Sequence, residues 1–543
     1  MAAPRRGATP RSVKSHSTSP RTALLPDALL LALLALFCLR LLAPLELARD
    51  LTLWDEADYL RRAFALPLRG LPAPEWGPLH SLFYFALWRL VPDPVVLHDV
   101  AYRLLATLPT LGIYLCARRA GAPRTLSLAG AALFLVSAAP HVAPRPTLLA
   151  LTLVLAGLWV SLGRRSLAGA ASALGLSLLL ASFARPELFL AFLLVSGVLA
   201  LALVRGEWKQ GARTGLAYAA LALALMAVLG NPLEDRTGRR LYAFCQHYAL
   251  GEVARAKLDV EPWNQCEVVL RRSFGEVHSV REAARANPAA FLTHLQENLE
   301  RYPTASLELF LRGPSHADLL EPQPRPWTPA RKGHALLLGV AALGLLLLLR
   351  RAGPDEAAAL RSAPVVRCGL ALLAVLLPSA LSAVLLHPRE HYLVLQGVLL
   401  PLFVVALAAA LAPARRERAW APALALAVAL LLAAPRLGPA PGAPLPHRGV
   451  VAQLRGVVAS LPGPVGLLET QGGYDVYLGP RVSRVHPAER LEDEAFEDFL
   501  ARRQVQVVLL GQSLAAHPLL AGDAGFRAFL ADPGGAIGSC AIR

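Results

Sequence analysis

The amino-acid sequence predicts an α-helical protein that crosses a membrane about eleven times and carries two extramembrane parts. Three observations predict this fold class. Hydrophobic residues make up 55% of the 543 residues, whereas charged residues make up only 17%. The hydrophobic residues occur in repeated runs near the ~20 residues that an α-helix needs to cross ~30 Å of hydrocarbon. Short basic clusters separate these runs, which is typical of the loops that set membrane topology.

The chain opens with a polar segment and a first membrane span. Residues 1–21 combine Arg and Lys with Ser, Thr, Pro and Gly. This composition is too polar to bury a core, so we expect a disordered, basic cytoplasmic tail. The apolar run near 23–47 is longer than the core of a usual signal peptide, and no small-residue cleavage site follows it. We therefore expect it to be retained as the first span.

Ten further apolar runs predict the remaining spans. They lie near residues 99–117, 125–140, 147–163, 167–184, 187–204, 214–230, 335–349, 368–386, 392–412 and 419–435. The aromatic run Pro78–Val91 has only about 14 residues, and aromatic side chains prefer membrane interfaces. We expect this run to lie flat on the outer membrane surface, because counting it as a span would invert the sidedness of every later loop.

Basic residues predict the orientation of the bundle. With the N-terminus inside, each loop assigned to the cytoplasm is basic, as the positive-inside rule requires. These loops contain Arg118, Arg119, Arg124, Arg164, Arg165, Arg205, Lys209, Arg213, Arg350, Arg351, Arg361, Arg367, Arg415, Arg416 and Arg418. The net charge of +16 is thus explained by topology and does not indicate a nucleic-acid surface. The intervening loops are predicted to be extracytoplasmic.

The predicted organisation has five parts. They are the tail (1–21), an N-terminal transmembrane module (22–230) with its first outer loop (48–98), an extracytoplasmic loop domain (231–334), C-terminal transmembrane helices (335–436) and an extracytoplasmic domain (437–543). The loop domain has apolar residues at helical spacing, with breaks expected at Pro262 and Pro303. The last part is predicted to be α/β, with strands at GPVGLLET and VQVVLLGQ and helices at EDEAFEDFLARR and GFRAFLAD.

The cysteines divide into two groups. Cys245 and Cys266 share the predicted oxidising side and could form a disulfide, although free thiols are the alternative. Cys38, Cys116 and Cys368 lie in or beside apolar runs and are expected to pack as small apolar residues. Cys540 is a single thiol near the C-terminus. No zinc-type spacing occurs.

The first outer loop concentrates charge beside the membrane. Asp55, Glu56 and Asp58 follow the first span and are themselves followed by Tyr59, Arg61 and Arg62. A solvated juxtamembrane loop would explain the acids alone. Carboxylates, arginines and a predicted membrane-surface helix together favour a functional site.

These residues carry a resemblance to a known family. The stretches WDEADY, PEWGPLHSLFYFALWRL and AYRLLATL, within Thr22–Val204, resemble the GT-C class of membrane glycosyltransferases. The similarity is to the family 39-like group that contains protein O-mannosyltransferases and the bacterial aminoarabinose transferase of lipid A. The family's carboxylate maps onto Asp55, with Glu56 beside it, and its second loop acid maps onto Glu75. In the aminoarabinose enzymes a lysine and two prolines follow that acid, whereas Trp76, Gly77 and Pro78 follow it here.

The resemblance implies transfer of a sugar from a polyprenyl-phosphate donor to an acceptor hydroxyl on the extracytoplasmic side, with inversion. Asp55 is the expected general base, with Glu56 as the second catalytic candidate. Arginines are expected to stabilise the leaving phosphate. The substrate-binding candidates are Tyr59, Arg61, Arg62, Glu75, His80, Arg145, Arg185, His387, Arg389 and His391. His247 and Trp263 could line an acceptor cleft, with packing inside the loop domain as the alternative.

Several alternatives remain open at this level. Asp55 and Glu75 could hold a divalent metal with help from His80 or His391, since carboxylate and imidazole suit several metals. The acceptor could be a lipid, a glycan or a protein, and membrane lipids are the surrounding partner. A polytopic transporter or a non-catalytic envelope scaffold would also suit many spans. The Ala-, Leu- and Arg-rich composition leads us to expect a bacterial inner membrane, with the site facing the periplasm.

Overall fold

The structure is a computed structural model that describes residues 20–142, 145–205, 208–263, 265–311, 361–411, 421–437 and 445–531. Structural statements below refer to these residues. Pro20 and Arg21 begin the first helix, and the rest of the predicted disordered tail lies outside the described residues. The predicted span near 335–349 and the thiol of Cys540 also lie outside them.

Helices dominate the fold. The N-terminal module contains α1 (Pro20–Leu41), α2 (Leu45–Ala48), α3 (Asp55–Arg69), α4 (Pro78–Trp88), α5 (Pro94–Arg119), α6 (Arg124–Val136), α7 (Pro146–Leu162), α8 (Leu167–Ser182), α9 (Leu188–Val204) and α10 (Trp208–Leu229). The loop domain contains α11 (Arg239–Ala256), α12 (Cys266–Phe274), α13 (Val280–Ala286) and α14 (Pro288–Leu311). The C-terminal transmembrane part contains α15 (Ala363–Leu385), α16 (Glu390–Leu411) and α17 (Ala421–Leu437).

Ten of the described helical segments correspond to predicted spans. Five are long and apolar enough to cross a membrane, namely Leu25–Leu47, Pro94–Arg119, Ala212–Leu229, Ala363–Leu385 and Glu390–Leu411. Five shorter apolar helices coincide with further predicted spans, namely Arg124–Val136, Pro146–Leu162, Leu167–Ser182, Leu188–Val204 and Ala421–Ala434. The α-helical polytopic fold is therefore confirmed.

The aromatic helix α4 is too short to cross a membrane. It has 11 residues, which at ~1.5 Å per residue gives ~16 Å, about half of the ~30 Å hydrocarbon thickness. Gly77 and Pro78 begin the helix, and Leu79 N–H donates to the carbonyl of Phe183 at 3.0 Å. The length of α4 therefore agrees with the prediction that this run is not a membrane span. The predicted sidedness of the later loops depends on that prediction.

Alternate loops collect at opposite ends of the bundle. At one end, Asp27 near the start of α1 accepts hydrogen bonds from Arg118 (3.1 Å) and Arg124 (3.0 Å). Arg367 at the same predicted side donates to the carbonyl of Leu162 at 2.9 Å. The loops predicted to lie on the other side contact one another at the opposite end, as described below. This separation matches the predicted parity of the spans.

The loop domain is helical, as predicted, and is closed by a disulfide. Cys245 on α11 is bonded to Cys266 at the start of α12, with 5.4 Å between their Cα atoms. The expected helix break at Pro303 is wrong, because α14 continues through this residue. Proline removes one backbone hydrogen bond, but packing can offset the loss. Tyr302 next to it packs on the transmembrane core and donates to Gln396 at 2.6 Å.

The last described part is a small α/β domain, as predicted. It contains α18 (Pro446–Ser460), β1 (Val465–Leu468), α19 (Tyr474–Leu478), β2 (Val482–Val485), α20 (Phe496–Arg502), β3 (Val505–Val508), α21 (Gln512–Ala515), α22 (Pro518–Ala521) and α23 (Ala524–Ala531). The strands form a parallel sheet in the order β2-β1-β3. The two predicted strands are β1 and β3, and the two predicted helices are α20 and α23. The sequence did not predict β2, α18 or the short helices α19, α21 and α22.

Arg103 within α5 is part of an ion pair. Its guanidinium contacts Glu46 on α2 at 2.7 Å. A charge inside an apolar segment is costly unless it is paired or lies near the interface. Cys38, Cys116 and Cys368 are buried free thiols, as predicted.

Candidate functional site

The candidate site is built around the start of α3. Asp55 is the first residue of this helix and is exposed. Its carboxylate acts electrostatically on Arg239 of the loop domain. Burial lowers the pKa of the Arg239 guanidinium, but Tyr59 and Asp55 raise this pKa by more. Asp55 is thus an accessible carboxylate that acts electrostatically on a cation from another part of the chain.

Glu56 occupies a different environment from its neighbour. Its side chain is 0% exposed and accepts hydrogen bonds from Tyr84 and from the backbone N–H of Arg145 at 3.2 Å, with His80 Nε2 at 3.4 Å. Burial raises the pKa of Glu56, but Arg145, His80 and Tyr84 together lower it below its usual value. This enclosed, ionised carboxylate organises the loop and has no exposed face toward a substrate, so we revise its predicted catalytic role to a positioning one.

Trp76 holds two arginines against its ring. The guanidinium carbon of Arg62 lies 3.7 Å from the ring centroid and that of Arg239 lies 3.9 Å from it. Arg239 donates to the carbonyl of Glu75 at 2.8 Å and to the Tyr59 hydroxyl at 3.4 Å. Burial lowers the pKa of Arg62, and Arg239 lowers it further despite Asp58. Both guanidinium groups therefore contact the same indole ring and repel each other, and an anion bound beside them would relieve this repulsion.

Two glycines bring this surface together. Gly77 has a left-handed φ of +65°, and a Cβ there would lie 2.7 Å from the carbonyl oxygen of Ala184. Gly230 also has a positive φ, and a Cβ there would overlap Pro74. Only glycine allows both the conformation and the close approach. The turn that carries Trp76 is thus packed against the α8–α9 turn and the start of the loop domain.

Arg185 joins the site from the α8–α9 turn. Its Nε donates to Glu187 at 2.6 Å, and its guanidinium lies 4.9 Å from the centroid of the Tyr392 ring. Burial lowers the pKa of Arg185, but Glu187 and Tyr392, with a smaller effect of Tyr59, raise it overall. Tyr59 therefore interacts with both Arg185 and Arg239. We refer to Arg62, Arg185 and Arg239 as the arginine cluster.

The HPREH turn extends the site toward the loop domain. His387 stacks on His247 with 6.2 Å between ring centroids, and Arg389 lies 5.4 Å from the Trp263 ring centroid. Burial, then the charge of Arg389, lowers the pKa of His247 to about 3. Burial, then His247, lowers the pKa of His387 to about 3. Both imidazoles are therefore neutral near pH 7, and we call these four residues the histidine–tryptophan patch.

His247 and Trp263 thus contact the HPREH turn and do not pack only within their own domain. His247 Nδ1 lies 2.7 Å from the Ala243 carbonyl, whereas its buried Nε2 has no hydrogen-bond partner among the described residues. His391, the remaining residue predicted in this turn, is 5% exposed.

Three predicted substrate contacts need correction, because their side chains are engaged elsewhere. Arg61 pairs with Asp58 and with Asp475 of the C-terminal domain, the latter at 2.8 Å. Arg145 is 1% exposed and donates to the carbonyl of His98 at 3.0 Å. His80 is fully buried beside Glu56. Arg61 and Arg145 thus support the loop through these contacts, and His80 packs beside Glu56 with its ring 4.9 Å from that of Tyr59.

The predicted metal site does not fit the described residues. The Oε1 atom of Glu75 accepts the backbone N–H groups of Arg236 (3.0 Å) and Thr237 (2.9 Å). Its Oε2 atom is buried without a partner. Across the described part of the chain, no group of three or more His, Cys, Asp or Glu side chains is arranged to hold an ion. Glu75 instead fixes the start of the loop domain, and we derive no step through a metal.

Three residues of the site were not predicted as substrate contacts: Trp76, Arg239 and Tyr392. Arg239 lies in the sequence RTGRRLY near the start of the outer loop. The only signal available was its predicted position on the same membrane side as Asp55. The separation of 163 residues along the chain gives no indication that it reaches Trp76.

Comparison with known proteins finds a similarity among solved structures. No protein-family model matches the chain, and no curated protein matches it. Among solved structures, the chain is similar to ArnT from Cupriavidus metallidurans in the apo state, with 16% sequence identity. The match covers 86% of this chain and 85% of that chain, with a TM-score of 0.33. A similarity at this TM-score does not indicate a function, so the function is inferred from the side chains of the site.

Proposed function

We propose that this chain is a GT-C-class membrane glycosyltransferase that transfers a sugar from a polyprenyl-phosphate donor to an acceptor hydroxyl on the extracytoplasmic side. One observation carries the proposal. Asp55 is an exposed carboxylate that acts electrostatically on Arg239, and the Arg239 guanidinium contacts the Trp76 ring that Arg62 also contacts. A base next to unneutralised guanidinium groups suits a reaction that removes a proton and releases a phosphate.

The arginine cluster is the proposed site of the donor phosphate. Guanidinium groups form charge-assisted, bidentate hydrogen bonds with phosphate oxygens. Arg62 and Arg239 form no salt bridge with a described carboxylate in this arrangement, unlike Arg61, which is paired with Asp475. The polyprenyl tail would remain in the lipid, and its phosphate would lie at the membrane surface beside α4.

Asp55 is the proposed general base. Its carboxylate takes the proton of the acceptor hydroxyl as that oxygen forms a bond to the anomeric carbon. The bond between the anomeric carbon and the phosphate oxygen breaks, and the electron pair leaves with the polyprenyl phosphate. Arg62 and Arg239 stabilise the charge that develops there. Direct displacement inverts the anomeric centre.

The histidine–tryptophan patch is the proposed approach of the acceptor. Neutral imidazoles can accept hydrogen bonds from hydroxyl groups, and an aromatic ring provides an apolar face with one polar edge. Arg389 adds a positive charge beside Trp263. These features suit an acceptor that carries hydroxyl groups and an anionic group.

An extracytoplasmic location is part of the proposal. The disulfide between Cys245 and Cys266 belongs to the same end of the bundle as Asp55, and disulfides persist in oxidising compartments. The basic residues Arg118 and Arg124 lie at the other end, as expected for cytoplasmic loops. A bacterial inner membrane with the site in the periplasm agrees with both features.

The test compares Asp55→Asn with Glu46→Gln in purified protein supplied with polyprenyl-phosphate sugars and an envelope extract as acceptor. Glu46 is an exposed acid on α2 that pairs with Arg103. We expect Asp55→Asn to lower turnover by about 10²- to 10⁴-fold, the usual contribution of a general base, and Glu46→Gln to retain it. Wild-type turnover in Asp55→Asn would refute the base. Solute flux that needs no sugar donor would favour a transporter.

A further inference from the structure

The C-terminal α/β domain is bonded to the loop that carries Asp55. Asp50 accepts the backbone N–H groups of His447 and Arg448, both at 2.8 Å. The Arg448 guanidinium contacts Asp99 of α5 at 2.6 and 3.1 Å. The hydroxyl of Tyr477 donates to the carbonyl of Thr52 at 2.7 Å. The domain is therefore hydrogen-bonded to the first outer loop at residues that directly precede the candidate base.

A glycine turn makes the contact nearest to Asp55. The turn, Gly472–Gly473, follows β1 and is fixed by the buried carboxylate of Glu469, which accepts both of its backbone N–H groups at 3.0 and 3.1 Å. Gly472 accepts the backbone N–H of Trp54 at 3.3 Å. Gly473 has φ +124°, and a Cβ there would lie 2.7 Å from the Cβ of Ala57 on α3.

The residue held by this turn has an unusual backbone. Trp54 has φ 59° and ψ −122°, a region that a residue with a Cβ rarely adopts. Burial does not explain the conformation, because Trp54 is 57% exposed. The contacts that hold it are backbone hydrogen bonds, namely Trp54 N–H to Gly472 and Asp58 N–H to the carbonyl of Trp54 at 2.9 Å. Strained residues persist only where their surroundings fix them, and they occur often at functional sites.

We propose that the glycine turn of the C-terminal domain is a positioning element for Asp55. It holds Trp54 in the conformation from which α3 starts, and the start of α3 sets the position of the Asp55 carboxylate relative to the arginine cluster. This inference rests on the proposed function for its catalytic consequence. The donor-phosphate residues Arg62, Trp76 and Arg239 do not contact the turn through any described hydrogen bond or ring contact, so we expect its main effect on turnover, with donor binding nearly unchanged.

The test is Gly473→Ala, with Gly479→Ala as its matched control. Both glycines belong to the C-terminal domain and have positive φ, but a Cβ at Gly479 would meet nothing within 4 Å. We expect Gly473→Ala to lower kcat by about 10- to 100-fold, since small misplacements of a catalytic group cost this much. Its KM for the polyprenyl-phosphate sugar stays within about twofold of the wild type, and Gly479→Ala retains kcat. Equal kcat values in the two variants, or loss of donor binding in Gly473→Ala, would overturn the proposal.

Hydrogen exchange tests the same contact without any activity. The amide of Trp54 is expected to exchange faster in Gly473→Ala than in Gly479→Ala, with the transmembrane helices unchanged. If Gly473→Ala does not fold, Tyr477→Phe removes the bond to Thr52 without adding a Cβ and is expected to show the same pattern more weakly. Unchanged exchange and kcat in these variants, with an inactive Asp55→Asn protein, would refute the positioning role alone. Wild-type turnover in Asp55→Asn would refute the base itself.

Discussion

Arg239→Gln is the substitution that tests the donor site most directly. Arg239 contacts the Trp76 ring at 3.9 Å and interacts with Asp55 and Tyr59, so the proposal gives it a direct contact to phosphate. Glutamine keeps a polar but shorter side chain and removes both the charge and the guanidinium group. We expect weaker binding of polyprenyl phosphate and a higher KM for the sugar donor.

The magnitude follows from the type of contact that is lost. A hydrogen bond to a charged group contributes about 1.5–3 kcal/mol, and about 1.4 kcal/mol corresponds to a tenfold change in affinity. Arg239→Gln should therefore weaken donor binding by about 10- to 150-fold. Arg239→Lys keeps the charge without the fork and should give an intermediate value.

The assay is a binding titration with polyprenyl phosphate, followed by KM measurements with the sugar donor. Arg240→Gln is the matched control, because Arg240 is the adjacent residue but is exposed and donates to the carbonyl of Pro232 at 3.3 Å. Arg239 also supports Glu75 through a 2.8 Å bond, so thermal unfolding is measured for each variant. Equal affinity in Arg239→Gln and Arg240→Gln, with retained thermal stability, would refute the phosphate site.

Two further predictions concern stability. Glu56→Gln removes a buried charge that acts electrostatically on Arg145 and accepts hydrogen bonds from Tyr84 and the Arg145 backbone N–H, and the loss of a hydrogen bond to a charged group should cost about 1.5–3 kcal/mol. Because the folded pKa of Glu56 is depressed, its contribution is complete above about pH 4.5 and is lost as the pH falls through the folded pKa. Thermal unfolding should therefore show a difference in stability between wild type and Glu56→Gln at pH 7 that narrows in acid, and a difference that widens in acid would contradict the depressed pKa of Glu56. Replacing Cys245 and Cys266 by serine should destabilise the loop domain by about 3 kcal/mol, measured as faster proteolysis of residues 239–311. Reductant should have this effect on the wild type and none on the serine variant, and equal responses would argue against the disulfide.

The sequence predicted which loops meet but not which side chains face the site. Parity of the spans depends only on hydrophobic length and basic residues, so it placed Asp55, Glu75, Arg185 and His387 on one side, and the structure brings their segments together. Burial depends on packing between distant segments. Arg145 and Arg239 are both arginines on the predicted outer side, but Arg145 is enclosed with His98 whereas Arg239 reaches Trp76.

Tertiary packing also explains why β2 was missed. Its sequence VSRV has only four residues and lies between polar turns, so it shows little alternation of its own. The strand forms because Val482 and Val485 pair with Val465 and Leu468 of the central strand. A short edge strand of this kind is specified by its neighbour more than by its own residues.

The two adjacent acids illustrate how helix geometry separates chemical roles. Successive residues of an α-helix point about 100° apart, so Asp55 and Glu56 at the start of α3 cannot both face the solvent-exposed side. Glu56 is directed into Tyr84, His80 and the backbone of Arg145, whereas Asp55 remains exposed. Neutralising each acid should therefore affect a different property, turnover for Asp55 and thermal stability for Glu56. Asp55→Asn is expected to remove turnover at unchanged thermal stability, whereas Glu56→Gln is expected to lower thermal stability before it affects the chemistry.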